Sequence, residues 1–300
     1  MIAIIMHYLI DAHSHIQFPV YDSDRDMVIK RAQEAGVKML AVGMQASTSE
    51  SAIQLAHKYS DDIWATVGFH PTHATHARTS QTQSGLTQTT GWFHDKKEQR
   101  EAIPEKFDIK RLRELALDKK VVAIGECGLD YYRLEIGSKE QVVRIKDLQK
   151  EVFLEQAKLA QELNKPLMIH CRPSKGTDDA YEDLIQILDS KFQIHKIVHF
   201  YVGSSKITKK LVEAGFYFTF GGVITFAKDY DESIKYIPLD RILLETDCPY
   251  VAPQSQRGKR NEPAFIVETA QKAAEIKNIP YSDFLEQISK NALTAFRIKF

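Results

Sequence analysis

The feature that most constrains this chain is a rhythm: short apolar runs rich in β-branched residues alternate with longer amphipathic stretches from one end to the other. The runs are 8–15 (YLIDAHSH), 38–44 (KMLAVGM), 63–71 (IWATVGFHP), 121–130 (VVAIGECGLD), 166–171 (PLMIHC), 196–200 (KIVHF), 216–222 (FYFTFGG) and 242–248 (ILLETDC). Strands that are apolar almost throughout are buried on both faces, which is the pattern of a parallel sheet covered by crossover helices. The stretches between them carry helix ends. Ser23 precedes a periodic segment closed by Gly36, Thr48 opens 49–59, and Ser138-x-x-Gln141 has the form of a capping box before 142–164. Eight such βα units predict one α/β domain over 1–300, a (β/α)8 TIM barrel, with an open doubly wound sheet as the alternative.

One segment breaks the rhythm. Residues 74–106 have little apolar content and no sustained period, and read as a surface loop inserted after the third strand, on the face where barrels carry their sites. The 43 % hydrophobic content supplies a core, and 40 Lys+Arg against 40 Asp+Glu leaves no net charge. That balance excludes a protein coating duplex DNA or an anionic membrane through a basic surplus. The opening MIAIIM lacks a basic flank and a cleavage site, and three cysteines with no CxxC pair suit a reducing compartment, so the expectation is cytoplasmic.

The chemistry gathers at strand ends. Alternation puts Asp11, His13 and His15 on one side of the first run, while Glu126, His170, His199 and Asp247 lie near the ends of the fourth, fifth, sixth and eighth. In a barrel these ends converge on one mouth. Gathering His13, His15, Glu126, His170, His199 and Asp247 there is costly without a cation, and six nitrogen and oxygen donors suit two divalent ions sharing a bridging carboxylate. Zn2+, Mn2+ and Mg2+ all fit such donors. Asp247 is placed to accept or shuttle a proton. Asp11 and Glu245 point inward below the ligands, as orienting partners or as parts of a buried polar network. Cys127, Cys171 and Cys248 each follow a ligand and should face the helices instead. His70 is read as a contact to substrate phosphate or an aid to proton transfer, with a capping or turn residue as the alternative. Arg172, Arg257, Lys259 and Arg260 would line the rim, Asn261 would cap a helix, and Gly221–Gly222 would admit a ligand or permit a turn. His57, His73, His76, His94 and His195 receive no role.

The motifs at 13–15 (HSH), 125–132 (GECGLDYY), 170–172 (HCR), 199–200 (HF), 245–250 (ETDCPY) and 257–263 (RGKRNEP) resemble the successive signatures of the TatD-like metal-dependent hydrolases, the TatD DNase branch of the amidohydrolase superfamily. The resemblance runs from about residue 8 to the C-terminus, interrupted mainly by 74–106. It implies a (β/α)8 barrel with nuclease activity in which His13, His15 and Asp247 bind one metal, Glu126 contacts or bridges both, and His170 and His199 hold the second. Many relatives in the wider superfamily bridge with a carboxylated lysine, so the glutamate at 126 points to the TatD branch. The expected function is a metal-dependent deoxyribonuclease trimming DNA from a strand end with hydroxide generated at two divalent ions, acting as a monomer. An amidohydrolase or lactonase using the same centre is the alternative, and a non-catalytic metal-binding scaffold is the third reading.

Overall fold

The computed structural model describes residues 8–74, 105–132, 134, 138–188 and 190–299. Eight strands follow one another around a parallel sheet in chain order: β1 (Leu9–Ser14), β2 (Val37–Val42), β3 (Ile63–Val67), β4 (Val121–Asp130), β5 (Leu167–Arg172), β6 (Lys196–Val198), β7 (Tyr217–Phe220) and β8 (Ile242–Leu244). Beyond β8 the chain meets β1 again. Ser14 bridges Cys248, His15 N–H donates to Cys248 O, and Asp247 N–H donates to His13 O, both at 2.9 Å. The sheet therefore comes round into a barrel, and the open doubly wound alternative falls.

The helices are α1 (Arg25–Glu34), α2 (Ala46–Lys58), α3 (Pro71–Ala74), α4 (Ile109–Ala116), α5 (Lys139–Glu162), α6 (Asp179–Ile187), α7 (Ser205–Glu213), α8 (Asp231–Tyr236), α9 (Ile266–Lys277) and α10 (Tyr281–Phe296). The capping box at Ser138 forms as read: Ser138 Oγ accepts from Gln141 N–H at 3.3 Å and Gln141 Oε1 accepts from Ser138 N–H at 2.8 Å. Two other helix starts differ. Asp24, not Ser23, occupies the position before α1, and its carboxylate is held by Arg260. Thr48 lies inside the first turn of α2, whose leading N–H groups at Ala46 and Ser47 are capped by the Glu105 carboxylate, a partner too distant in sequence to be read locally. Most of the expected 74–106 insertion lies outside the described residues.

Two apolar layers follow from the strand alternation. Ile10, Ala12, Leu40, Val42, Trp64, Ala123, Met168, Ile197, Tyr217 and Leu243 fill the lower barrel and meet Ala292, Ala295 and Phe296 of α10. The opposite strand faces pack outward against the helices in a larger core that includes Cys127, Cys171 and Cys248, all free thiols. The cysteines thus face away from the ligands that precede them.

The alternation breaks in the two strands that matter most. In β4, Ala123 faces in and Ile124 out, so regular pleating would send Glu126 outward. A register shift between Ile124 and Cys127, with Gly125 at φ 144°, reverses the phase, so Cys127 joins the outer layer and Glu126 enters the mouth. In β1 a shift between Asp11 and Ser14 has the same effect: Ile10 and Ala12 point into the barrel, and so do His13 and His15. Asp11 therefore does not share a regular face with the two histidines. It accepts instead from Thr246, through N–H at 2.9 Å and Oγ1 at 2.5 Å, across the β1–β8 seam.

Candidate metal centre

The two oxygens of Glu126 address different sets of histidines. Oε2 lies 3.5 Å from His13 Nε2 and 3.9 Å from His15 Nε2. Oε1 lies 3.2 Å from His70 Nε2, 3.0 Å from His170 Nδ1 and 2.8 Å from His199 Nε2. Asp247 Oδ1 completes the first set at 3.8 Å from His13 Nε2 and 3.6 Å from His15 Nε2. The structure thus brings all six sequence-predicted donors together and adds His70 to them.

These atoms fit a cation. His15 Nδ1 lies 3.0 Å from Val42 O, which places its proton there and turns the Nε2 lone pair inward, toward His13 Nε2 at 3.2 Å. Two nitrogens bound tetrahedrally at 2.0–2.1 Å stand about 3.4 Å apart, close to this spacing. His13 Nδ1 is buried without a hydrogen-bond partner among the described residues. Among the described residues, three groups of donors meet the distance requirement: His13–His15–Glu126, His13–His199–Asp247 and His70–Glu126–His170.

Burial favours at several of these histidines the neutral form that ligation requires. Burial pushes His13, His15 and His70 toward the neutral form, His15 to about 4. Burial would raise Glu126, but His70, His199 and His13 around it hold it well below the usual carboxylate range. His170 differs. Burial lowers it, yet hydrogen bonds to Asp130 and Glu126 prevail and lift it to about 9. Beneath the donors, burial raises Asp11 to about 7 and Glu245 to about 8. Glu245 accepts from Thr219 Oγ1 at 2.5 Å and Phe200 N–H at 2.7 Å, so both acids are part of a bonded buried network.

Asp130 is the site residue that the sequence reading passed over. Its Oδ2 lies 3.0 Å from His170 Nε2, a carboxylate–histidine pair that leaves Nδ1 for the centre. The signal was present: Asp130 ends the same run as Glu126, four residues on, and alternation from Glu126 puts it on the same face, toward the mouth.

The rim is less uniform than expected. The Arg172 guanidinium stacks 3.9 Å over Tyr132, and Arg257 4.2 Å over the exposed Phe226. Arg260 is tied into the fold by Asp24 and Glu262 and lies over Tyr21. Asn261 is no helix cap. Its buried amide donates to Thr246 O at 2.8 Å and Tyr250 O at 2.7 Å, bracing the turn that carries Asp247, and Glu262 precedes the next helical turn instead. His57 pairs with Asp118 on the surface and His195 donates to Ala295 O at the far end. His76 and His94 lie outside the described residues.

A parallel barrel with a His- and carboxylate-lined mouth at the C-terminal ends of its strands defines a metal-dependent hydrolase. The family model described as TatD related DNase matches residues 10–297, and the chain belongs to that family. It is 36 % identical over 295 residues to the uncharacterized metal-dependent hydrolase YabD of Bacillus subtilis, covering 97 % of this chain and 99 % of that one. It is 33 % identical over 288 residues to the 3'-5' ssDNA/RNA exonuclease TatD of Erwinia tasmaniensis, covering 93 % and 95 %. The YjjV TatD homologue of Escherichia coli superposes with a TM-score of 0.74 at 24 % identity, over 98 % of this chain and all of the other, a likeness of fold.

Proposed function

We propose that the protein is a divalent-metal phosphodiesterase that removes nucleotides from the end of a DNA strand. The observation that carries this reading is the division of Glu126, with histidines of β1 on one oxygen and those of β5, β6 and the end of β3 on the other. His13, His15 and Asp247 would hold one ion, His170 and His199 the second, with Glu126 between them. Bound there, divalent ions supply Lewis acidity and lower the pKa of water.

The chain's own residues supply the rest. Glu126 is enclosed, its side chain 3 % exposed, while Asp247 at 16 % opens to the mouth, so Asp247 is the carboxylate able to accept a proton from the nucleophile and return it to solvent. His70 Nδ1 accepts from Thr72 N–H at 3.2 Å, which leaves Nε2, 3.2 Å from Glu126 Oε1, as its one N–H for Glu126 or for a phosphoryl oxygen that enters the mouth. Arg172 and Arg257 offer charge to phosphate beside aromatic faces that suit unpaired bases. Arg260, engaged by two carboxylates, is left to structure. The name of the Erwinia relative, a single-strand DNA and RNA exonuclease, supports a strand end over mid-duplex cleavage.

The test uses metal-stripped protein, then protein with Mg2+, Mn2+ or Zn2+, on end-labelled single- and double-stranded DNA, beside Glu126→Ala. Shortening from one end, restored by metal and lost in the variant by more than the roughly 10–100-fold that outer partners cost, is expected. Hydrolysis of a lactone or amide panel with DNA left intact would transfer the centre to a small-molecule hydrolase.

A further inference from the structure

Two glutamines on α5 grip the ends of two site-bearing strands in the same way. Gln149 Oε1 accepts from Asp130 N–H at 2.8 Å while its Nε2 donates to Asp130 O at 3.0 Å. Gln156 Oε1 accepts from Phe69 N–H at 2.8 Å while its Nε2 donates to Phe69 O at 3.0 Å. Each amide thus acts as a one-residue strand partner, clasping both polar groups of a single residue. Both glutamines are fully enclosed, at 1 % and 0 % exposure. They stand two helical turns apart, about 10.5 Å along one face of α5.

What they grip is specific. Phe69 is the residue before His70, whose Nε2 lies 3.2 Å from Glu126 Oε1. Asp130 holds His170 Nε2 at 3.0 Å, and thereby sets which His170 nitrogen faces Glu126. His70, Glu126 and His170 form one of the three donor groups close enough to hold an ion. The two neighbours of Glu126 in that group are therefore referenced to the same rigid helix.

We propose that Gln149 and Gln156 are positioning residues for this half of the centre, with α5 acting as the spacer that fixes His70 against Asp130–His170. Such a role needs the amide itself. A hydrophobic residue of similar size would fill the space under the strand ends but leave both peptides unpaired and free to shift, and metal affinity falls when His170 is displaced or when a displaced His70 no longer holds Glu126 Oε1 in place. The inference rests on reading the site as a metal centre and is independent of the substrate.

Asn291 supplies an internal control. It is also a buried amide that grips backbone, donating to Leu239 O at 2.7 Å and Ile242 O at 2.8 Å, but at the opposite end of the barrel. Metal-stripped wild type, Gln149→Leu, Gln156→Leu and Asn291→Leu are titrated with Mn2+ alone by calorimetry, and their Tm values are measured without metal. The expected result is a fall in Mn2+ affinity of roughly tenfold in both glutamine variants, at the low end of what outer partners of metal ligands cost. Asn291→Leu should lose comparable Tm with its affinity unchanged. Should the leucine variants fail to fold, Gln149→Met and Gln156→Met are read in the same way. Glutamine variants that lose Tm in step with Asn291→Leu while retaining wild-type affinity would overturn the proposal. Wild type that takes up no Mn2+ would instead overturn the metal reading itself, and the proposal with it.

Discussion

Carboxylates in this protein take opposite characters from their surroundings, and residue by residue the cause can be named. Asp11 and Glu245, buried below the mouth, are pushed up by desolvation because the donors around them are too few to offset it. Asp179, at the start of α6, goes the other way. Burial raises it, but Lys146 Nζ at 2.7 Å, Ser174 N–H at 2.9 Å, Ser174 Oγ at 2.8 Å and Thr177 Oγ1 at 2.9 Å together hold it down to about 2. A carboxyl depressed in the folded state stabilises most above its unfolded value near 4, and that contribution disappears as pH falls from about 4 through about 2. Asp179→Asn should therefore lower Tm at pH 6, and the gap from wild type should narrow steadily between pH 4 and pH 2. The side chain is half-buried, so solvent screening limits the gap. A difference that persists unchanged at pH 2 would assign it to hydrogen-bond geometry and not to charge.

At the scale of elements, β4 is the part of the fold that local patterning reads least well. Strand-end position identified Glu126, His170, His199 and Asp247, because in a parallel barrel every strand's C-terminal end meets the same mouth. It could not foresee that Asp11 would leave the face of His13 and His15, because a register shift is set by the neighbouring strand and not by the run itself, whereas Asp130, four residues beyond Glu126, was legible by alternation. The amide clamps of Gln149 and Gln156 were equally hidden, since a glutamine on a helix carries no sign of the backbone it will meet. The glycines of GECG do mark the shift. Gly128 sits at φ 143°, and a Cβ there would lie 2.0 Å from His170 O. Gly128→Ala must both strain that backbone and push β5 away, each costing about 1–3 kcal/mol. We expect a loss of at least about 2 kcal/mol in urea unfolding, together with weaker metal uptake because the displaced carbonyl belongs to a ligand. Unfolding within about 0.5 kcal/mol of wild type would show that β4 and β5 can separate there at little cost.

For the whole molecule, the balance of 40 basic and 40 acidic residues bears on how nucleic acid is met. A neutral chain has no surplus with which to displace counterions along an extended track, and the positive groups available near the mouth are few. Arg172 and Arg257 stack on aromatic rings, Lys259 lies two residues beyond Arg257 with its ammonium 3.1 Å from Gln256 Oε1, and Arg260 is neutralised by Asp24 and Glu262. Each phosphate neutralised on a single strand contributes about −0.7 to the slope of log affinity against log salt concentration. Three cations at the rim therefore predict a slope of about −2. Stacking of bases on Tyr132 and Phe226 would add affinity that salt does not weaken. The measurement is fluorescence anisotropy of a labelled single strand carrying terminal phosphorothioates, titrated with protein from low to high salt. Arg172→Gln should reduce the steepness by about 0.7, whereas the same change at Arg260 should leave the slope alone and lower Tm through its lost ties to Asp24. A slope steeper than about −5 would mean that phosphates are followed far beyond the mouth, and binding would then extend over a surface of the barrel well outside the centre built around Glu126.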